Sequence, residues 1–125
     1  LEIRFEMHKL EELIIWKKSI ELTKKVYLIC QSLPLDEKFG LISQIKRSSV
    51  SVASNIAEGA GRNSNKEFIQ FLGIANGSSF ELQTQLILSV ELNFLQKDEV
   101  NTILQLIIEI QKMNYVFQQK LKSNI

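Results

Sequence analysis

Pro34 is the only proline of the chain, so residues 35–125 run without the residue that most strongly breaks a helix. Long helices are therefore permitted over most of the sequence, and the spacing of apolar side chains decides whether they form. Plotted at the helical 100° per residue, Ile15, Ser19, Leu22, Val26 and Ile29 share one face, while Lys17, Lys18, Glu21, Lys24 and Lys25 fall opposite. This predicts a helix over about 10–32, stopped at Leu33-Pro34 because the residue before a proline avoids the α region.

Acidic Asp36 and Glu37 suit the positive end of a second helix, expected over 36–59. Its apolar stripe is Leu41, Ile45, Val52 and Ile56, with small Ser48, Ser49, Ala53 and Gly59 beside it, a composition that lets a partner helix come close. Gly59-Ala60-Gly61-Arg62-Asn63 reads as a helix end with a left-handed glycine cap. Ser64 and Glu67 then fit a capping box opening a third helix, 64–93. Phe68, Phe71, Leu72, Ala75, Leu82 and Leu86 form its main stripe, but Ile69, Phe80, Ile87 and Phe94 lie about a quarter-turn away. A helix that is apolar nearly all round is buried on more than one side, so those four residues are the candidate subunit interface. Asp98 or Glu99 caps a fourth helix over 98–122, with Ile103, Ile107, Ile110, Phe117 and Leu121 on its stripe. Short connections favour antiparallel neighbours. The expected fold is all-α: one domain over 1–125, an up-down-up-down antiparallel four-helix bundle.

Chemistry is sparse. A catalytic or metal-binding bundle needs histidines and carboxylates turned inward, and the single histidine, His8, precedes the first helix. Cys30 lies on the apolar face near Val26 with no histidine at hand, which reads as a small core residue, and a lone cysteine points to a reducing, cytoplasmic setting. No GxxxxGK[ST] or strand-preceded GxGxxG occurs, and the apolar runs are too short for a membrane span. The expectation is a non-enzymatic protein with no metal, cofactor, membrane or small-molecule substrate.

Two polar features remain. Gln44, Arg47, Asn55 and Glu58 on the second helix, with Ser78 and Glu81 on the third, sit inside otherwise apolar segments and predict a structural hydrogen-bond network, with Glu58 also pairing to Arg62. Lys17, Lys24, Lys25, Lys46, Arg62 and Lys66 form two basic clusters that are candidates for RNA contact. Against a dedicated nucleic-acid binder stands the near balance of 15 basic and 14 acidic residues.

The same residues carry a likeness. Trp16, Gln44-Ile45-Lys46-Arg47, Ser51 followed by Asn55-Ile56-Ala57-Glu58-Gly59, Phe71-Leu72, and Gly77-Ser78 with Glu81-Leu82 resemble the four-helix-bundle family encoded within intervening sequences of bacterial 23S ribosomal RNA genes. A related branch resembles the accessory protein of diversity-generating retroelements. Where the family often has alanine after the second-helix arginine and proline two residues before the asparagine, this chain has Ser48 and Ala53. The resemblance implies a subunit without enzymatic activity that assembles as a homopentamer, associated with RNA or an RNA-processing protein. The alternative is a module that assembles with protein alone.

Overall fold

The computed structural model describes Lys9, Leu10 and residues 13–124. The expectations for His8 and for residues 11–12 lie outside them. Four helices follow: α1 (Ile14–Ile29), α2 (Leu41–Ala60), α3 (Asn65–Glu91) and α4 (Lys97–Lys122). Leu33 is extended at φ −80°, ψ 150°, as a pre-proline residue must be, and ends the helical course after one 3-10 turn, Cys30–Ser32.

The start of α2 differs from expectation. Leu35–Glu37 form a separate 3-10 turn, and α2 opens only at Leu41, after Gly40. Glu37 still acts at that helix end, since its Oε1 accepts from the Leu41 amide at 3.2 Å. At α3 the Ser64 side chain accepts from Glu67 N at 3.1 Å, as a capping box requires, but the Glu67 carboxylate bonds the Ser64 hydroxyl at 3.2 Å rather than its amide. The fourth helix is capped by Gln96, two residues ahead of Asp98, with Glu99 Oε1 accepting from the Gln96 amide at 2.8 Å.

The glycine cap after α2 is corrected by the backbone. No glycine among the described residues has positive φ, and Gly61 stands at φ −83°. Gly59 is needed for space instead: a Cβ there would lie 2.8 Å from Phe68 Cδ1 and 2.9 Å from Phe71 Cβ. The left-handed residue is Asn93, φ 62°, just after α3. There Phe94 N donates to Ser89 O and Asn93 N to Val90 O, the two bonds of a Schellman motif.

Cross-helix pairs fix the topology. Arg47 meets Glu81, Ser51 meets Ser78 and Gly59 meets Phe68, so rising numbers on α2 face falling numbers on α3. Phe68 with Phe117, and Ser79 with Gln111, make α4 antiparallel to α3. Thr23 Oγ1 donates to Ser49 O, and Lys18 pairs with Glu109, placing α1 between α2 and α4. The bundle is up-down-up-down, each helix packing on its neighbours and α1 closing on α4. The expected stripes form the core: Leu22, Val26, Ile45, Ile56, Leu72, Leu82, Leu86 and Ile107 are fully buried. Each contributes about 1.5–3 kcal/mol by leaving water. Ser48 and Ser49, buried beside Ala53, mark where α2 packs closest to its neighbours.

Candidate functional site

On α2 the positions Gln44, Arg47, Ser51, Asn55 and Glu58 follow at intervals of three or four and so line one edge, which borders α3, and Arg62 follows in the turn beyond the helix end. Arg47 Nε donates to Gln44 Oε1 at 3.0 Å and its other end pairs with Glu81, which also accepts from Gln85 Nε2 at 3.5 Å. One turn on, the Ser51 and Ser78 hydroxyls bond at 2.8 Å. The Asn55 amide donates back to Ser51 O at 2.8 Å and to Ser51 Oγ at 3.0 Å. Glu58 pairs with Arg62 at 2.8 Å, as expected, and with none of the others. The six expected residues thus separate into three units along one seam. They are also wetter than expected, with the Arg47 and Glu81 side chains 51% and 42% exposed. Long charged side chains at a helix–helix seam keep their ends in water, so this ion pair registers two helices without the cost of full burial. Ser51, the residue joining Asn55 to Ser78, completes the set.

A more deeply buried polar set lies between α3 and α4. Asn114, 2% exposed, donates to Leu72 O at 2.9 Å and accepts from Gln118 at 2.6 Å. Gln111 donates to Gln83 Oε1 at 2.9 Å and to Ser79 Oγ at 3.2 Å. The signal was present in the sequence: Asn114 falls four residues after Ile110 and three before Phe117, in the apolar phase of α4.

The basic residues do not gather on one face. Arg62 pairs with Glu58 and Glu67 and stacks 4.7 Å from the Phe71 ring centroid. Lys46 lies 4.8 Å over the Tyr27 ring. Lys24 and Lys46 border a groove of about 940 Å³ between α1 and α2, whereas Lys25 lines the opposite α1/α4 crevice with Glu21 and Glu109. Lys17 and Lys66 are exposed. Cys30 lies at the groove floor; burial pushes its thiol pKa up, and nearby Lys46 opposes this. Among the described residues no three His, Cys, Asp or Glu side chains cluster as metal ligands, and no helix is long and apolar enough to cross a membrane.

The outer side of α3 is apolar and open. Phe80 is 54% exposed and Ile87 45%, with Leu88 and Leu92 beside them. At Gly73 and Gly77 a Cβ would meet nothing within 4 Å, so the stripe continues as bare backbone. Ile69 and Phe94, grouped with Phe80 and Ile87 by phase, instead pack partly buried against the core. Ile69 sits near the start of α3, and Phe94 lies past its end, beyond the left-handed Asn93.

Fold and surfaces define a class: an all-α four-helix bundle with a filled core and apolar faces left open. The chain belongs to the 23S rRNA-intervening sequence protein family, whose sequence profile matches residues 11–116. A solved structure of a protein of unknown function from the S23 ribosomal protein family of Bacteroides thetaiotaomicron is similar, with a TM-score of 0.78 and 25% identity over 84% of this chain and 98% of that one. No curated protein matches.

Proposed function

We propose that the protein is a non-catalytic cytoplasmic scaffold that works as a homo-oligomer, five copies being the number its family resemblance implies. The observation that carries this reading is the open α3 stripe, Phe80, Ile87, Leu88 and Leu92 continued by Gly73 and Gly77, on a subunit whose core is already complete. Contiguous exposed apolar surface of this kind marks association sites in stable proteins. Light scattering of the purified chain is expected to give several times the 14.4 kDa subunit mass. A monomer at micromolar concentration refutes the reading.

Contact with RNA, directly or beside an RNA-processing protein, is the second reading, and what favours it is repetition. Lys17 and Lys66 are exposed on every copy, so an oligomer multiplies two weak phosphate contacts. Retention on long RNA should fall steeply from low to physiological salt, and Lys17→Ala with Lys66→Ala should reduce it while thermal unfolding stays unchanged. No retention at low salt leaves the protein-only scaffold.

A further inference from the structure

Once the core is filled, this subunit exposes two apolar surfaces on different sides, and the unpaired charges beside them differ in sign. One is the α3 stripe. Between Lys66 and Lys97 every charged residue is acidic, Glu67, Glu81 and Glu91; Glu67 and Glu81 are engaged by Arg62 and Arg47, whereas Glu91, at the end of the stripe, is exposed. The other is the α1/α2 groove, whose walls include Ile20, Leu28, Leu35 and Val50 and whose charged lining, among the described residues, is Lys24, Lys38 and Lys46. Lys46 is held against the groove wall by the Tyr27 ring rather than by a carboxylate.

We infer that the groove of one copy receives the α3 stripe of the next, an inference that rests on the homo-oligomer reading and names its interface. Pairing groove with groove would set three lysines against three lysines, and pairing stripe with stripe would leave the groove in water. Pairing stripe with groove covers both surfaces and brings Glu91 toward cations. Shape agrees with charge: the backbone bared at Gly73 and Gly77 leaves room for side chains that stand out from the groove, Leu28 at 65% exposure and Leu35 at 86%. Because the two surfaces are different, each added copy still offers one of each, so assembly runs head to tail and either closes as a ring or grows.

The test uses one blocked surface per variant. Leu28→Glu places a carboxylate in the groove, and Phe80→Lys places a cation on the stripe; both positions are exposed, and circular dichroism checks that each variant keeps its helix content. If Leu28→Glu fails to fold, Val50→Glu on the opposite wall replaces it, and Ile87→Lys likewise replaces Phe80→Lys. Each variant alone is expected to weaken association roughly 30-fold or more, the effect of losing a hot-spot residue. Mixed, the two are expected to reassociate into complexes holding both in equal number, because each supplies the surface the other lacks. A wild-type monomer overturns the homo-oligomer reading itself. A wild-type oligomer with either variant still assembling alone, or with a mixture that does not reassociate, overturns the stripe-in-groove interface and leaves the homo-oligomer reading standing.

Discussion

Replacing glycine by alanine inside a helix ordinarily stabilises a protein by about 1 kcal/mol, because alanine loses less backbone entropy on folding. At Gly59 the sign should reverse. The added methyl would lie 2.8 Å from Phe68 Cδ1, 2.9 Å from Phe71 Cβ and 3.2 Å from Phe68 O. The first atom belongs to a ring packed edge-on against Phe117 at 5.2 Å, and the other two belong to α3 itself, so no rotamer change clears the clash. Overpacking of this kind costs about 1–3 kcal/mol, and with so little freedom the upper part of that range applies. The net loss should be about 2 kcal/mol, or roughly 8 °C in Tm for a domain of this size. Gly73→Ala, where a methyl meets open space, should instead gain about 1 kcal/mol. Gly61→Ala, with φ −83° and contacts no closer than 3.6 Å, should change stability by less than about 0.5 kcal/mol. All three are best made in the Phe80→Lys background, so that chemical denaturation followed by circular dichroism reads the subunit rather than its assembly. A Gly59→Ala variant as stable as Gly73→Ala would refute the reasoning, and a costly Gly61→Ala would restore the left-handed cap.

Asn114→Leu removes the hydrogen bonds to Leu72 O and Gln118 from the α3/α4 seam and should destabilise by about 1–2 kcal/mol in urea titration. Glu81→Ala removes only a half-exposed ion pair, so its cost should stay below about 1 kcal/mol in the same assay. The Cys30 thiol, raised in pKa by burial, holds less thiolate than an ordinary cysteine at any given pH. Its reaction with a disulfide reagent should therefore be slow near neutrality, rise only at higher pH than for a free thiol, and accelerate in denaturant.

Much of the bundle is legible in the sequence because burial follows the 3.6-residue period. The face assigned to the first helix, Ile15, Ser19, Leu22, Val26 and Ile29, is the buried face of α1 residue for residue. Less legible are features set by distance between helices. Gly59 looks like a helix terminator until Phe68 and Phe71 stand against it, and the left-handed residue is Asn93, at the far end of α3 from Gly59 and Gly61. The polar stripe of α2 could be read from spacing, but which residue bonds which depends on the register with α3, and the wheel does not contain that register. The same limit applies to the four residues expected at an interface: a quarter-turn offset leaves Phe80 and Ile87 exposed, whereas Ile69 packs against the core and Phe94, past the left-handed Asn93, is no longer on the α3 wheel.

The α2–α3 pair is the most extensively packed in the molecule, and only residues 61–64 separate its helices. Closing so short a loop costs little chain entropy, whereas joining α1 to α4 spans nearly the whole chain. Order of formation follows: the hairpin zips first, with Gly59 against Phe68 at its base, and the outer helices dock onto it afterwards. In stopped-flow experiments Gly59→Ala should then slow folding while hardly changing the unfolding rate, and the truncation Ile15→Ala on α1 should speed unfolding while folding proceeds at nearly the wild-type rate.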